Sequence, residues 1–142
     1  MAAKTEITLN PPRGKPDSET GSIFFVGTAT TIIRYAGFTI LTDPNFLHQG
    51  DHVHLGYGLH SKRLTNPAID IEDLPPLDCV VLSHLHEDHW DRLVDQQLDR
   101  TLPVVTTGPA AKTLKKRGFA SSIGLKHWQT ATFRKGNYKL HV

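Results

Sequence analysis

Residues 78–91 have the sequence DCVVLSHLHEDHWD, which joins a short apolar run to a dense group of metal-binding side chains. The run Asp78–Ser83 predicts a buried, central strand, and the apolar spacing that follows it predicts a helix over residues 90–98. The intervening histidines and aspartates therefore occupy the turn between a strand and a helix. Nine histidines in a chain of 142 residues also favour metal chemistry. The stretch predicts a metal site at the end of a buried strand.

The metal-binding side chains of this stretch form two pairs, His84 with His86 and Asp88 with His89. Residues two apart at a strand end point to the same side, so His84 and His86 can bind one zinc ion. Asp88 and His89 lie on the following turn and suit a second ion, which could be zinc, manganese or iron. Two such ions activate water for hydrolysis, and Asp88 is the candidate catalytic residue that orients this water. The alternative is that Asp88 only caps a helix that begins near Trp90.

The hydrophobic pattern divides the chain into a flexible polar arm over residues 1–21 and a folded part over residues 22–142. Ile7–Leu9 is a candidate edge strand within the arm. Strands that alternate with helices after residue 78 favour an α/β or α+β layered domain. The other predicted elements are the buried strand Ile23–Val26, the strands Thr30–Tyr35, Phe38–Thr42 and Pro103–Thr107, a helix from Gly108 to Gly118, a short strand around Ile123, and a hairpin formed by Thr130–Arg134 and Tyr138–Val142.

Residues 46–77 predict a long irregular segment, because glycine and proline interrupt it repeatedly. Ile69–Leu74 predicts at most one short helical turn. No buried strand precedes the histidines of this segment, so the pattern does not favour a rigid metal site there. They are interpreted either as part of a lid or substrate-binding loop or as simple solvent-exposed side chains. The residues concerned are His48, His52, His54 and His60.

The motif His84-x-His86-x-Asp88-His89 after an apolar strand resembles the signature of the metallo-β-lactamase fold superfamily. Residues 27–33 (GTATTII) and 37–44 (GFTILTDP) resemble the branch that contains ascorbate-phosphate lactonases and N-acyl-phosphatidylethanolamine phospholipase D. Thr28 is a departure, since that branch often has a histidine after the first glycine. The resemblance extends from about Ser22 to the end of the chain.

The resemblance implies an α+β fold, in which two similar halves form an αββα sandwich. It implies two divalent metal ions, zinc being expected, with His84 and His86 at one ion and Asp88 and His89 at the other. It further implies that Asp43 lies behind the ligands, close to the site. From the residues alone, Asp43 could equally be a turn residue before a proline.

The function implied by the resemblance is hydrolysis by a metal-bound hydroxide of a phosphodiester, lactone or related ester. The expected substrate is a small or lipid-like molecule. Because the family site needs later ligands and the last residue, Val142, lies in a predicted strand, we expect the N-terminal half to two-thirds of such a domain. His127 and His141 are candidates for later ligands, although a loop or strand-face histidine is the simpler interpretation of each.

The alternative function is a truncated, catalytically incompetent fragment that acts at most as a metal-binding or interaction module. Its unpaired sheet edge would allow self-association. A zinc-structured binding domain is disfavoured, because such sites are usually cysteine-rich and Cys79 is the single cysteine.

Composition sets the remaining expectations. A formal net charge of +2 gives no reason to expect nucleic-acid binding. The single cysteine suggests a reducing, cytoplasmic location, and the sequence shows no signal peptide or membrane span.

Overall fold

The computed structural model describes residues 5–9 and 20–142 of the chain. Within these residues, short strands predominate and two α-helices are present. The strands are β1 (Thr5–Leu9), β2 (Ser22–Gly27), β3 (Thr30–Tyr35), β4 (Phe38–Thr42), β5 (His52–Gly56), β6 (Leu59–Lys62), β7 (Cys79–Val81), β8 (Val104–Thr107), β9 (Ser122–Leu125), β10 (Ala131–Lys135) and β11 (Tyr138–His141); the helices are α1 (Arg92–Gln97) and α2 (Gly108–Lys116), and Ile71–Asp73 forms one 3₁₀ turn.

The main sheet has six strands in the order β2-β3-β4-β7-β8-β9. The first three form an antiparallel meander, and β4, β7, β8 and β9 run parallel to one another. Parallel neighbours need a crossover connection, which α2 supplies between β8 and β9. This arrangement places the C-terminal ends of β4 and β7 side by side.

A second sheet of three strands has the order β1-β10-β11. The hairpin of β10 and β11 is the predicted one, and β1 confirms the candidate edge strand by pairing in parallel with β10, where Ile7 lies opposite Phe133. Residues 5–9 belong to the range predicted as a flexible arm, but Ile7 and Leu9 pack on the core between the sheets. Most of the rest of that range lies outside the described residues.

The main sheet has a hydrophobic core on each of its two faces, one shared with the helices and one shared with the second sheet. Neighbouring residues of β4 face opposite sides of the main sheet, so Leu41 packs towards the helices and Ile40 towards the second sheet. Leu114 of α2 contributes to the first core and Phe133 of β10 to the second. The structure thus consists of a helical layer, the main sheet and the second sheet, which confirms the α+β class. These are three of the four layers of the predicted αββα sandwich.

The prediction that Ile23–Val26 is a buried strand is wrong for most of its length. β2 is the edge strand of the main sheet, and among the described residues little covers its outer part. Ile23 is 73% exposed and Phe25 is 64% exposed, whereas Val26 is buried. The apolar composition therefore identified a strand but not its position in the sheet.

The prediction that residues 46–77 are irregular is also wrong in part, because β5 and β6 form an antiparallel hairpin within them. Its turn uses Gly56, Tyr57 and Gly58, all of which have positive φ angles. Such angles suit glycine and produce the twist that a tight hairpin requires. β6 has three consecutive polar residues after Leu59, and β5 has only two apolar residues between its histidines and Gly56, so the sequence shows no sustained apolar signal of a strand here.

The helix predicted over residues 90–98 is shorter in the structure, where α1 spans Arg92–Gln97. The helix predicted from Gly108 is confirmed as α2, which begins after a Thr107 cap and is followed by Gly118 at a φ of 96°. No helix among residues 5–9 and 20–142 combines the length and hydrophobicity needed to cross a bilayer.

A buried ion pair joins the two sheets. Lys135 Nζ of β10 donates hydrogen bonds to Asp78 Oδ2 and to the Gly37 carbonyl oxygen, both at 2.8 Å. The same carboxylate oxygen accepts a hydrogen bond from Thr39 N at 2.8 Å. The side chains of Lys135 and Asp78 are only 5% and 14% exposed, so each charge depends on the other.

We expect Lys135→Met to lower the free energy of unfolding by about 3 kcal/mol, because the Asp78 carboxylate would lose its buried partner. Urea denaturation followed by circular dichroism measures this change. Lys139→Met is the matched control, since Lys139 is exposed on the neighbouring strand. The double variant Asp78→Asn/Lys135→Met should recover part of the loss, and equal stability of both single lysine variants would contradict the assignment.

Candidate metal centre

The candidate site lies where β4 and β7 end. Asp43 N donates a hydrogen bond to the Val81 carbonyl oxygen at 3.0 Å, and Ser83 N donates to Asp43 Oδ1 at 2.7 Å. These two bonds hold the segment after β4 against the segment that carries the histidines. The parallel pairing of β4 and β7 thus creates the edge on which the site is built.

Three half-buried side chains form a group that could hold a metal ion. One ligand atom from each of His84, Asp88 and His89 lies within 4.8 Å of the other two. His89 Nε2 is 3.4 Å from Asp88 Oδ2, and the rings of His84 and His89 have centroids 4.1 Å apart. Two imidazoles and a carboxylate are a donor set that suits zinc, manganese or iron.

His86 lies beside this group and is more exposed than its members. Its ring meets the ring of His84 edge-on, with centroids 4.6 Å apart. All four predicted ligand residues are therefore neighbours in space. The three-ligand group draws on both predicted pairs, so the division into His84 with His86 and Asp88 with His89 stays a prediction.

Asp43 fits both descriptions that the sequence left open. Its φ angle of 34° is a turn conformation, and its Oδ2 atom lies 3.2 Å from His89 Nδ1. A carboxylate at Nδ1 fixes the ring orientation and favours the tautomer that leaves Nε2 free to bind a metal. Asp43 is therefore placed to orient His89.

Ser83 also contacts the imidazoles, although it was not among the predicted site residues. Its hydroxyl group lies 2.9 Å from His84 Nδ1 and 3.3 Å from His89 Nδ1. A polar residue at the end of an apolar strand was the available signal. Because the hydroxyl contacts Nδ1 of both rings, it can stabilise their orientation and leave both Nε2 atoms free.

Buried polar residues support the segment after β4. Thr30 Oγ1 donates a hydrogen bond to the Asp43 carbonyl oxygen at 2.7 Å and accepts one from Asn45 N at 2.8 Å. Asn45 Nδ2 donates to the Glu87 carbonyl oxygen at 2.9 Å, so the support reaches the motif loop itself. Both Thr30 and Asn45 are almost completely buried, and the sequence pattern did not single them out.

Asp91 is a buried carboxylate that joins the motif to two other segments. It caps α1 by accepting a hydrogen bond from Val94 N at 2.9 Å, and it accepts others from Phe46 N and, at 3.0 Å, from Leu47 N. Burial raises the pKa of Asp91, and these backbone hydrogen bonds oppose the rise. The alternative role of Asp88 as helix cap is therefore wrong, because α1 begins three residues later than that role requires.

The remaining histidines lie outside the three-ligand group. His48 Nε2 lies 2.7 Å from Asp70 Oδ1, and the rings of His54 and His60 meet across the β5–β6 hairpin with centroids 4.3 Å apart. His141 Nδ1 lies 2.9 Å from Thr132 Oγ1 within the second sheet, and His127 is exposed. The structure does not bring the two candidate later ligands to the site.

Sequence comparison matches residues 22–140 to the family described as "Beta-lactamase superfamily domain". Two relatives are named as N-acyl-phosphatidylethanolamine-hydrolyzing phospholipase D. The mitochondrial protein of Saccharomyces cerevisiae is 28% identical over 120 residues, which are 83% of this chain and 25% of the yeast protein. Phospholipase D 1 of Caenorhabditis elegans is 29% identical over 104 residues, which are 73% of this chain and 25% of the nematode protein.

Two solved structures resemble the fold. An isothiocyanate hydrolase from Delia radicum gut bacteria is 28% identical, with a TM-score of 0.60 over 73% of this chain and 41% of its own. A possible metal-dependent hydrolase from Veillonella parvula has a TM-score of 0.66 over 78% of this chain and 43% of its own; at 19% identity it supports the fold alone. This chain spans about a quarter of the two named relatives and about two fifths of these structures.

We expect Asp91→Ala to lower the free energy of unfolding by about 2–4 kcal/mol, because it removes a helix cap and leaves buried N–H groups unpaired. Urea denaturation gives the value. Asp73→Ala, which removes an exposed carboxylate from the 3₁₀ turn, is the control and should change stability by about 0.5 kcal/mol or less. Equal effects of the two substitutions would show that Asp91 does not join these segments.

Proposed function

Because this chain belongs to the β-lactamase superfamily domain family and has the metallo-β-lactamase fold, we propose that it forms a divalent-metal centre for hydrolysis of an ester bond. The observation that carries the proposal is the group formed by His84, Asp88 and His89 at the end of a central strand. A match to the family alone would not identify which residues act. The geometry supports these residues because their ligand atoms converge.

The side chains present fit a metal ion chemically. Asp88 Oδ1 is buried and has no hydrogen-bond partner in the described part of the chain. A buried carboxylate oxygen without a donor is costly, and a cation would satisfy it. Imidazole and carboxylate ligands without cysteine favour zinc, with manganese and iron as alternatives.

Each residue has a distinct role in the proposal. His84, Asp88 and His89 hold one ion in this proposal, which replaces the predicted pairing of His84 with His86, and His86 provides a ligand for a second ion beside it. Asp43 orients His89 through Nδ1, and Asp88 also orients the attacking water. When bound, a divalent ion would polarise the scissile group and make water a stronger nucleophile near neutral pH.

The proposed substrate is a small or lipid-like phosphodiester, lactone or related ester. Support comes from two relatives that are named as N-acyl-phosphatidylethanolamine-hydrolyzing phospholipase D. Since this chain spans about a quarter of those proteins, activity and substrate belong to the proposal. A reducing, cytoplasmic location also belongs to it and is supported by the unpaired thiol of Cys79.

A metal-binding or interaction module without catalytic activity is the second candidate function. It is favoured by the fact that the described residues contain a single three-ligand group, from which His127 and His141 are absent. The exposed apolar side chains of β2, Ile23 and Phe25, lie on an edge strand through which copies of the chain could associate.

We expect His84→Ala to abolish stoichiometric zinc binding, because it removes a ligand from the three-residue group. Asp43→Ala should weaken zinc binding by about 10–100-fold, since it removes no ligand but removes the carboxylate that orients His89 and accepts a hydrogen bond from Ser83 N. Isothermal titration calorimetry and elemental analysis of dialysed protein measure both effects. His127→Ala, which changes an exposed histidine outside the group, is the matched control. Absence of bound zinc from the unaltered chain would contradict the proposed metal centre.

Hydrolysis distinguishes the two candidate functions. If the chain is a hydrolase, the zinc-loaded or manganese-loaded protein should release p-nitrophenol from bis(p-nitrophenyl) phosphate faster than His84→Ala does under the same conditions. The physical reason is that this substitution disrupts the group that would activate water. Stoichiometric zinc without any hydrolysis of phosphodiester, lactone or ester probes would favour the module instead.

A further inference from the structure

Arg63 is a buried cation that the proposed metal chemistry does not use. It follows β6 at the base of the β5–β6 hairpin, where Arg63 N donates a hydrogen bond to the Asp51 carbonyl oxygen at 2.8 Å and the Arg63 carbonyl oxygen accepts one from Gly50 N at 2.9 Å. The residue is only 7% exposed. Because a charge away from water is costly unless it is well bonded, the contacts of this side chain need a physical explanation.

The guanidinium group of Arg63 joins two segments of the chain. Nε donates a hydrogen bond to the Thr65 carbonyl oxygen at 2.8 Å. Nη1 donates to the main-chain carbonyl oxygen of Asn45 at 3.2 Å and also to the side-chain oxygen Oδ1 of the same residue. Arg63 therefore connects the end of the hairpin to the segment after β4.

The third guanidinium nitrogen is sealed against Gly27. Nη2 is buried and has no hydrogen-bond partner in the described part of the chain. A Cβ atom at Gly27 would lie 2.7 Å from Nη2, closer than real Cβ atoms approach other atoms, and the group cannot move away while Asn45 and Thr65 hold it. An unsatisfied buried donor costs stability, so the fold keeps Arg63 in place at a cost. Such costs are typical of residues that support a functional site.

Arg63 determines which way the side-chain amide of Asn45 points. A guanidinium group can only donate hydrogen bonds, whereas a side-chain amide has one accepting oxygen and one donating nitrogen. The oxygen Oδ1 must therefore face Arg63, and the nitrogen Nδ2 is left to donate to the Glu87 carbonyl oxygen, at 2.9 Å. Asn45 is 1% exposed, so water does not compete for either position.

The main chain of Asn45 is fixed as well. Asn45 N donates a hydrogen bond to Thr30 Oγ1 at 2.8 Å, and this hydroxyl group donates to the Asp43 carbonyl oxygen at 2.7 Å. Thr30 is completely buried. Asn45 is thus held at its backbone by Thr30 and at its side chain by Arg63, and it presents a fixed donor to the loop that carries the metal ligands.

The carbonyl group of Glu87 belongs to the same planar peptide unit as Asp88 N. A hydrogen bond to this carbonyl group fixes the plane of the peptide unit, and with it the direction in which the side chain of Asp88 leaves the backbone. Asp88 is a member of the candidate metal group, and its Oδ1 atom has no hydrogen-bond partner in the described part of the chain. Since Oδ1 has no such partner to hold it, its position depends on the backbone.

We infer that Arg63 is a positioning residue for Asp88. It orients the amide of Asn45, and the amide in turn fixes the peptide unit that precedes Asp88. The inference rests on the proposed metal centre for its effect on the ion, whereas the hydrogen-bonded connection from Arg63 to Asp88 needs no metal. A residue from the segment that the sequence predicted as irregular thereby supports the metal centre.

Zinc affinity tests the inference. Arg63→Met approximates the length of the side chain and removes its donors, so the amide of Asn45 can reverse and the peptide unit before Asp88 is no longer fixed. We expect the zinc dissociation constant, measured by titration calorimetry, to rise about tenfold or more. Lys135→Met is the matched control, because it also replaces a buried cation with methionine but does so between the two sheets. The control should leave zinc affinity unchanged, and an unchanged affinity of folded Arg63→Met would overturn the inference.

Asn45→Asp separates positioning from packing. The aspartate keeps an oxygen atom for Arg63, but it places a second oxygen against the Glu87 carbonyl group where the amide placed a donor. We expect this variant to fold and to bind zinc about tenfold more weakly or worse. Asn45→Ala/Arg63→Met should bind zinc no more weakly than the weaker of its two single variants, because both substitutions break the same connection. Additive losses would contradict the inference.

Metal-free protein provides a test that does not depend on the proposed function. In proton–nitrogen NMR spectra, Arg63→Met and Asn45→Asp should each shift the backbone amide signal of Asp88, whereas Lys135→Met should not. Circular dichroism verifies that each variant is folded, and Asn45→Asp decides the outcome if Arg63→Met does not fold. Absence of zinc binding by the unaltered chain would refute the metal centre alone. An unshifted Asp88 signal in the folded variants would refute the role of Arg63.

Discussion

The rest of the site depends on the hydrogen bonds that the buried carboxylate of Asp91 accepts from backbone N–H groups. It accepts backbone hydrogen bonds from the segment after β4, at Phe46 and Leu47, and from the first turn of α1, at Val94. A desolvated carboxylate is stable only when donors surround it, so these segments must meet at one point. Their meeting point lies two residues beyond His89, which fixes the end of the motif loop. The ligands are therefore held by a polar network that is itself buried.

The candidate metal centre and the β5–β6 hairpin share this support. Asn45 donates a hydrogen bond to the Glu87 carbonyl oxygen in the motif loop and accepts hydrogen bonds from Arg63, which follows β6. Thr30 and Asp43 connect the same segment to the ends of β3 and β4. A change that moves the segment after β4 would consequently disturb the ligands and the hairpin together.

Local patterns in the sequence predicted most of the strands, both helices and the cluster of ligands, because each depends on neighbours in the chain. The β-branched residues Thr30–Ile33 identify β3, and the alternation of Phe38, Ile40 and Thr42 with Thr39 and Leu41 identifies β4. The β5–β6 hairpin was missed because histidines and other polar residues occupy its strands. The exposure of Ile23 and the burial of Arg63 could not be predicted, since each depends on which distant segments pack nearby. Asp91 was overlooked for the same reason, as two of its donors lie about 45 residues earlier in the chain.

The pairing of β1 with β10 has a consequence for the order of folding. The strands of the main sheet lie next to partners that are close in sequence or separated by one connection, so they can associate as the chain lengthens. β1, in contrast, waits for β10, since Thr5 pairs with Ala131. Contacts between such distant residues are slow to form, because the entropy of closing the intervening chain must be lost first. During synthesis on the ribosome, the surface of the main sheet that faces the second sheet therefore stays uncovered until β10 has emerged, and Phe38 and Cys79 are exposed to solvent or to chaperones for that time.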